Sequence, residues 1–263
     1  MWADFFIAGL WCIALLYIPG SITILGTGLP HSIWSAAPLI SLLLYSLITI
    51  VFSILNIPTT AFLLIVVSLT ISLLIFFAMS LTPLYLKRRI AAKAFKKKLL
   101  IVATYLTLGV LITLYVYVKC MNDADSFIQT YDNVFHINLV RNLMGSTDWS
   151  PLHANLFPLE VDSTIDPFPG TSYYPSAWHI LCAMVASVTA TPATLAANVT
   201  NSVFTAVVFP LGMAGLLVRI FEKKQEVVLL GSVVVLSFVS FPWVLLMLWP
   251  LFPNAASLSM LPA

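Results

Sequence analysis

Asp132 and His136 are the residues whose types and spacing best fit chemistry in this chain. Four apart on a helix, they are neighbours on one face. A carboxylate in that setting can serve as a general base, with the imidazole orienting it or holding a phosphate oxygen. The same pair can supply two ligands to a divalent metal, although no further ligands are identifiable from spacing. It can equally be a helix-surface pair exposed to water. At about 100° per residue, Gln129, Asp132, Asn133 and His136 fall within one arc of roughly 100°. Phe127, Tyr131 and Val134 take the opposite side, with Phe135 beside them.

That pattern predicts an amphipathic helix over Ser126–Met144, lying at a membrane interface with its polar side turned to a cavity. Ser126 followed by Gln129 fits a capping box, and Gly145 fits a C-cap. Gln129 and Asn133 are candidate substrate-binding groups, although Gln129 has a second use in closing the box. Arg141 carries a planar fork suited to phosphate, or to a salt bridge with a nearby acid. His179 lies where the chain re-enters a hydrophobic segment. An ionisable residue there is a candidate binding group or an interface hydrogen-bond donor. Asp123 and Asp125 precede the helix and are placed to favour its positive end. Asp148, Glu160, Asp162 and Asp166 read as solvated or capping acids. His31 and His153 have no partner that the sequence identifies.

The elements around these residues are hydrophobic. Seven of the chain's ten acidic residues fall between Lys119 and Ser176. The 263 residues are 60% hydrophobic and 8% charged, with mean hydropathy +1.02. Soluble domains carry about 25% charged residues, so this composition excludes a soluble fold. It predicts an all-α polytopic bundle in contact with membrane lipid and no nucleic-acid partner. Cys12, Cys120 and Cys182 form no spaced motif. The first residues lack the basic flank of a cleavable leader. Leu261-Pro262-Ala263 reads as the start of another helix, so a longer protein is expected.

A bilayer core needs about 20 apolar residues in a helix. Seven segments approach that length: Phe5–Leu29, broken by Pro19-Gly20, then Ile33–Leu55, Thr60–Met79, Leu99–Val118, Ala177–Ala190, Leu195–Phe221 and Val227–Leu248. Pro210 is expected to kink the sixth. The expected organisation is a four-span region over 1–118, a large extracytoplasmic loop over 119–176, and further spans over 177–263. Seven basic residues between Lys87 and Lys98 predict a cytoplasmic loop. Arg219, Lys223 and Lys224 then belong on the same side. Both placements hold if Ala177–Ala190, short for a span, is a partial or re-entrant element.

The order of motifs also carries a resemblance. Tyr131-Asp132-Asn133-Val134-Phe135-His136 through Leu143 is followed by Gly145, Trp149-Ser150-Pro151, Tyr174-Pro175 and Trp178-His179. This resembles the first outer loop of GT-C glycosyltransferases, which use polyprenyl-phosphate-linked sugars. It is most similar to a family of large uncharacterised bacterial multi-pass membrane proteins placed near that superfamily. Ile18-Pro19-Gly20 and Trp249-Pro250-Leu251-Phe252-Pro253-Asn254 extend the resemblance over most of the chain. It implies a cell-membrane glycosyltransferase with Asp132 as its catalytic acid on the outer face. The loop follows the fourth span here rather than the first, and the superfamily's second acidic loop is not evident. Two other readings stay open: a transporter or flippase of a lipid-linked envelope precursor, and a non-catalytic membrane scaffold.

Overall fold

A computed structural model describes residues 1–28, 33–82, 99–154, 173–222 and 224–263. His31, the basic run Lys87–Lys98, Glu160, Asp162, Asp166 and Lys223 lie outside the described residues. The architecture is an all-α polytopic membrane bundle. Among the described residues six helices are long and apolar enough to cross a membrane: Trp2–Gly26, Ser35–Ile54, Ala61–Ser80, Leu99–Cys120, Ala193–Ile220 and Gln225–Leu248. They match six of the seven hydrophobic segments in the sequence. Phe62, Leu74 and Leu10 are more than half exposed, as side chains that face lipid can be at no cost.

The first helices are α1 (Trp2–Gly26), α2 (Ile33–Ile54), α3 (Ala61–Ser80) and α4 (Leu99–Cys120). Pro19 sits inside α1, and α2 repairs the damage. Without an N–H, Pro19 leaves the Leu15 carbonyl unpaired within its own helix. The Tyr45 hydroxyl donates to that carbonyl at 2.8 Å. The next amide, Gly20, donates to the buried Ser41 hydroxyl at 2.9 Å. A side chain at Gly20 would run into the Ala37 backbone. Glycine here allows α1 and α2 to approach closely enough for both bonds. A neighbouring helix satisfying freed backbone groups is what hydrocarbon surroundings require.

The seventh hydrophobic segment is α6 (Ala177–Thr189), only 13 residues long. At 1.5 Å per residue it spans about 20 Å, short of a roughly 30 Å bilayer core. Every side chain from Trp178 to Ala186 is buried. A helix covered on all sides belongs in the middle of the bundle, and α6 packs against α1, α2 and α3. It ends at Ala190, whose φ of 52° places it in the left-handed region.

The following span is continuous from Ala193 to Ile220 but not uniform. It comprises α7 (Ala193–Val203), a π-helical turn over Phe204–Val208, and α8 (Phe209–Ile220). The turn immediately precedes Pro210, which cannot continue the i→i−4 ladder. Gly109 of α4 lies against the Ala206 carbonyl there, and a Cβ at that position would collide with it. The last elements are α9 (Gln225–Val234), a π-helical stretch over Val239–Leu248 broken by extended backbone at Phe241, and α10 (Phe252–Met260).

Candidate functional site

The amphipathic helix is α5, Tyr131–Gly145, with Thr130 as its N-cap residue. It begins five residues later than the Ser126 start expected from the sequence. Local bonding explains the shift. The Ser126 hydroxyl accepts from the Asp123 amide at 2.9 Å, and the Ser126 amide donates to the Asp123 carbonyl at 3.0 Å. Asp123 Oδ1 accepts from the Ala124 amide at 2.7 Å. These bonds close a turn over 123–126, so Asp123 serves that turn instead of the helix end. Asn198 Nδ2 then donates to the Ala124 and Ser126 carbonyls at 3.0 and 2.8 Å. Asn133 Nδ2 donates to the Ile128 carbonyl at 2.7 Å. The segment before Tyr131 is therefore held non-helical, and no Ser126/Gln129 capping box forms.

The later start also removes Gln129 from the helix, and burial divides the rest of the polar row. Gln129 and Asp132 are exposed, whereas Asn133 and His136 are buried. Asp132, Asn133 and His136 keep one face, whose Asp132 end emerges from the packed region, and Gln129 lies off the helix. α5 packs on α6 and α7, and its buried side comprises Asn133, His136, Ile137, Leu139, Val140 and Leu143. Two polar groups sit in that inward row because α6 supplies a partner. His136 Nδ1 and His179 Nε2 are 3.0 Å apart, in a buried hydrogen bond across 43 residues of sequence. Tyr174 and Trp178 surround the two imidazoles, with ring centroids 4.9 to 6.4 Å away.

The pair is nearly dry. His179 is 0% exposed and His136 is 7% exposed. Of the two facing nitrogens, one must donate and the other accept. His179 Nδ1 is buried with no hydrogen-bond partner. An orphaned acceptor is tolerated better than an orphaned N–H. This favours the tautomer in which His179 Nε2–H donates to His136 Nδ1. His136 then keeps a proton on Nε2, toward the less buried side. Burial lowers the His136 pKa to about 4, against a smaller opposing pull from the Asp132 charge. The imidazole is therefore neutral at neutral pH.

Asp132 occupies the first turn of α5, where the helix dipole favours a carboxylate. Its charge acts on both His136 and Tyr174. The Tyr174 hydroxyl is held above its ordinary pKa, first by burial and then by Asp132. Asp132 thus lies at the exposed edge of the imidazole and aromatic cluster. Arg141 is exposed and nine residues further along α5. By helical geometry that is about 13 Å along the axis and half a turn round. Asp132, His136 and His179 are brought together; Arg141 is not. Among the described residues no group of three or more His, Cys, Asp and Glu side chains is arranged to hold a metal ion, and none of them completes a ligand set with Asp132 and His136.

A second cluster joins residues without evident partners in the sequence. Ser53 Oγ donates to Asp148 Oδ2 at 2.8 Å, and His153 Nδ1 lies 2.9 Å from the same oxygen. Ser53 Oγ and His153 Nδ1 are 2.8 Å apart. Asp148 Oδ1 also accepts from the Ser150 amide at 2.9 Å. Asp148 is thus more than a solvated acid, and His153 has its partner. Serine and aspartate meet the same ring nitrogen, however. A nucleophilic relay needs them on opposite nitrogens of the histidine. The cluster pins the loop to the end of α2, beside the Thr59 amide to Thr147 carbonyl bond of 2.7 Å.

Sequence reasoning also missed Asn201. Its Oδ1 accepts from Trp178 Nε1 at 3.1 Å, bracing the indole against the histidines from behind. The only trace of this in the sequence is a pair of amides, Asn198 and Asn201, one turn apart in a hydrophobic span.

A family model described as "Family of unknown function (DUF6541)" matches residues 13–263, and the chain belongs to that family. No curated protein and no solved structure matches it.

Proposed function

We propose that this DUF6541 member is a cell-membrane glycosyltransferase that takes a sugar from a polyprenyl-phosphate carrier at the outer face. The observation that carries the reading is the exposed Asp132 carboxylate at the edge of a buried, neutral imidazole pair, at the polar end of a membrane bundle. A carboxylate held at a lipid interface is suited to accept a proton from a hydroxyl. The loop's resemblance to GT-C enzymes supplies the substrate class.

In this reading the acceptor hydroxyl oxygen attacks the anomeric carbon and gives its proton to Asp132. The bond from the anomeric carbon to the phosphate oxygen breaks, and its electron pair leaves with the polyprenyl phosphate. His136 positions. Its bond to His179 locks α5 on α6 and so fixes the carboxylate at the end of the helix. Gln129, exposed three residues before Asp132 in the non-helical segment, offers an amide to the incoming sugar.

The test is transfer by the full-length protein in lipid nanodiscs, read as polyprenyl phosphate released from a radiolabelled sugar carrier. Turnover by the wild type and its loss in Asp132→Asn are expected. Unchanged turnover in Asp132→Asn removes that residue from the mechanism. His136→Gln should lower kcat with little change in KM, as a positioning role requires.

A further inference from the structure

A cavity of about 410 Å³ opens beside the C-terminal end of α4, between the 121–128 segment and the start of α10. Its wall is mainly hydrocarbon and aromatic, including Tyr117, Phe127, Met247 and Phe252, and among the described residues no Lys, Arg, Asp or Glu lines it. Polar groups interrupt this surface: Asn198 and Asn201 from α7, with Asn122 and Ser126 from the facing segment.

The hydrogen bonding of those amides is asymmetric. Trp178 Nε1 can only donate, so the Asn201 atom facing it must be oxygen. That fixes the orientation of the Asn201 amide and leaves its Nδ2 over. Asn201 is 2% exposed, and Nδ2 is buried with no partner. Asn198 is the complement. It spends Nδ2 on the Ala124 and Ser126 carbonyls, and its Oδ1 takes part in neither bond. An unpaired buried amide donor is destabilising, and native proteins retain few of them. One amide thus lacks an acceptor, and the other, one turn before it on the same helix, has an acceptor to spare. A hydroxyl satisfies both, accepting from one and donating to the other.

We propose that this cavity binds the hydroxyl-bearing head of an uncharged amphiphile, with its hydrocarbon chain along the apolar wall. The described lining has no cationic side chain, which argues against a phosphate head, since that calls for charge-assisted donors. Cavities of this size are typical of small-ligand sites that combine apolar walls with a few placed polar groups. The claim concerns binding and stands apart from glycosyl transfer.

Photoactivatable diacylglycerol and photoactivatable prenol, each added to the full chain in phosphatidylcholine nanodiscs, test it. Saturable crosslinks to 121–128 and 246–252 with either probe support the site, and the better probe identifies the source of the hydroxyl. The O-methyl ether of the same lipid loses one hydrogen bond and should compete about tenfold more weakly. Asn201→Asp keeps the oxygen facing Trp178 and removes the amide donor, so crosslinking should fall. Ile128→Trp fills the mouth from an exposed position, leaves the Asn201–Trp178 bond intact, and should lower crosslinking as well. Non-saturable labelling spread over the lipid-facing helices, equal competition by the methyl ether, or stronger competition by the phosphate monoester would each overturn the proposal.

Discussion

Two histidine clusters anchor the same loop to the same bundle, and they differ in almost every physical respect. His136 and His179 meet in the interior, almost without solvent, and one ring nitrogen of the pair stays unpaired. His153 and Asp148 meet at the surface, with side chains 48% and 39% exposed and a serine completing the contact. Contact geometry alone would rank them the other way, because Asp148 and His153 form the direct acid–imidazole contact. Burial decides their roles instead. An exposed pair gains little from its charges, since water screens them. A buried pair whose bonding is incomplete is more sensitive to protonation, to substitution and to a ligand. The dry cluster also lies beside the exposed acid, Asp132, that the proposed chemistry needs.

The contrast is most directly challenged through stability. Removing one member of the buried pair leaves the other's ring nitrogen unpaired, which costs about 1–3 kcal/mol. His179→Leu or His136→Phe should therefore lower the thermal unfolding midpoint in detergent clearly. The double variant should lose less than the sum of the two, because no orphan remains. Strict additivity would show that the hydrogen bond carries no coupling.

A second effect is expected from acid. The folded-state pKa of His136 is about 4, below its ordinary value of 6.5. Between those values the unfolded chain binds more protons than the folded one. The stability contributed by keeping His136 neutral is complete above about pH 6.5 and is lost as pH falls toward 4. Amides of α5 should exchange hydrogen faster over that window once intrinsic rates are removed. His136→Gln should flatten the dependence. A wild-type profile unchanged by the substitution would assign the acid sensitivity elsewhere.

The exposed cluster should give the smallest response. Asp148→Asn or His153→Ala is expected to change stability by less than about 1 kcal/mol, an effect that shrinks further in high salt. A loss as large as that of His179→Leu would erase the distinction between the two clusters.

Much of the framework was legible in the residues. Long apolar runs located six spans, and the shortness of Ala177–Ala190 pointed to a partial element, because bilayer thickness sets a length that composition must meet. Asp132, His136 and His179 stood out by residue type and by their approach to the membrane. Helical periodicity placed Asp132, Asn133 and His136 on one face, but it added Gln129 to them, since it assumed a helix from Ser126. The bonds from Asn198, over 70 residues away, and from Asn133 to Ile128 hold that segment non-helical. Asn133 and His136 turn inward because α6 offers a partner, and a one-dimensional pattern cannot register one. Ser53 and Asp148 are 95 residues apart, a pairing fixed by tertiary structure. The Asn201 amide gave no signal until Trp178 was placed against it.

Sugar transfer from a polyprenyl-phosphate carrier, measured in parallel for Asp132→Asn and Asp148→Asn, tests the central claim most directly. Both are near-isosteric losses of one carboxylate from the same loop. The account predicts that Asp132→Asn lowers turnover by at least about a hundredfold, as removal of a general base does, while Asp148→Asn stays within a few-fold of wild type. Retained turnover in the first with loss in the second would contradict it and move the chemistry to the exposed cluster.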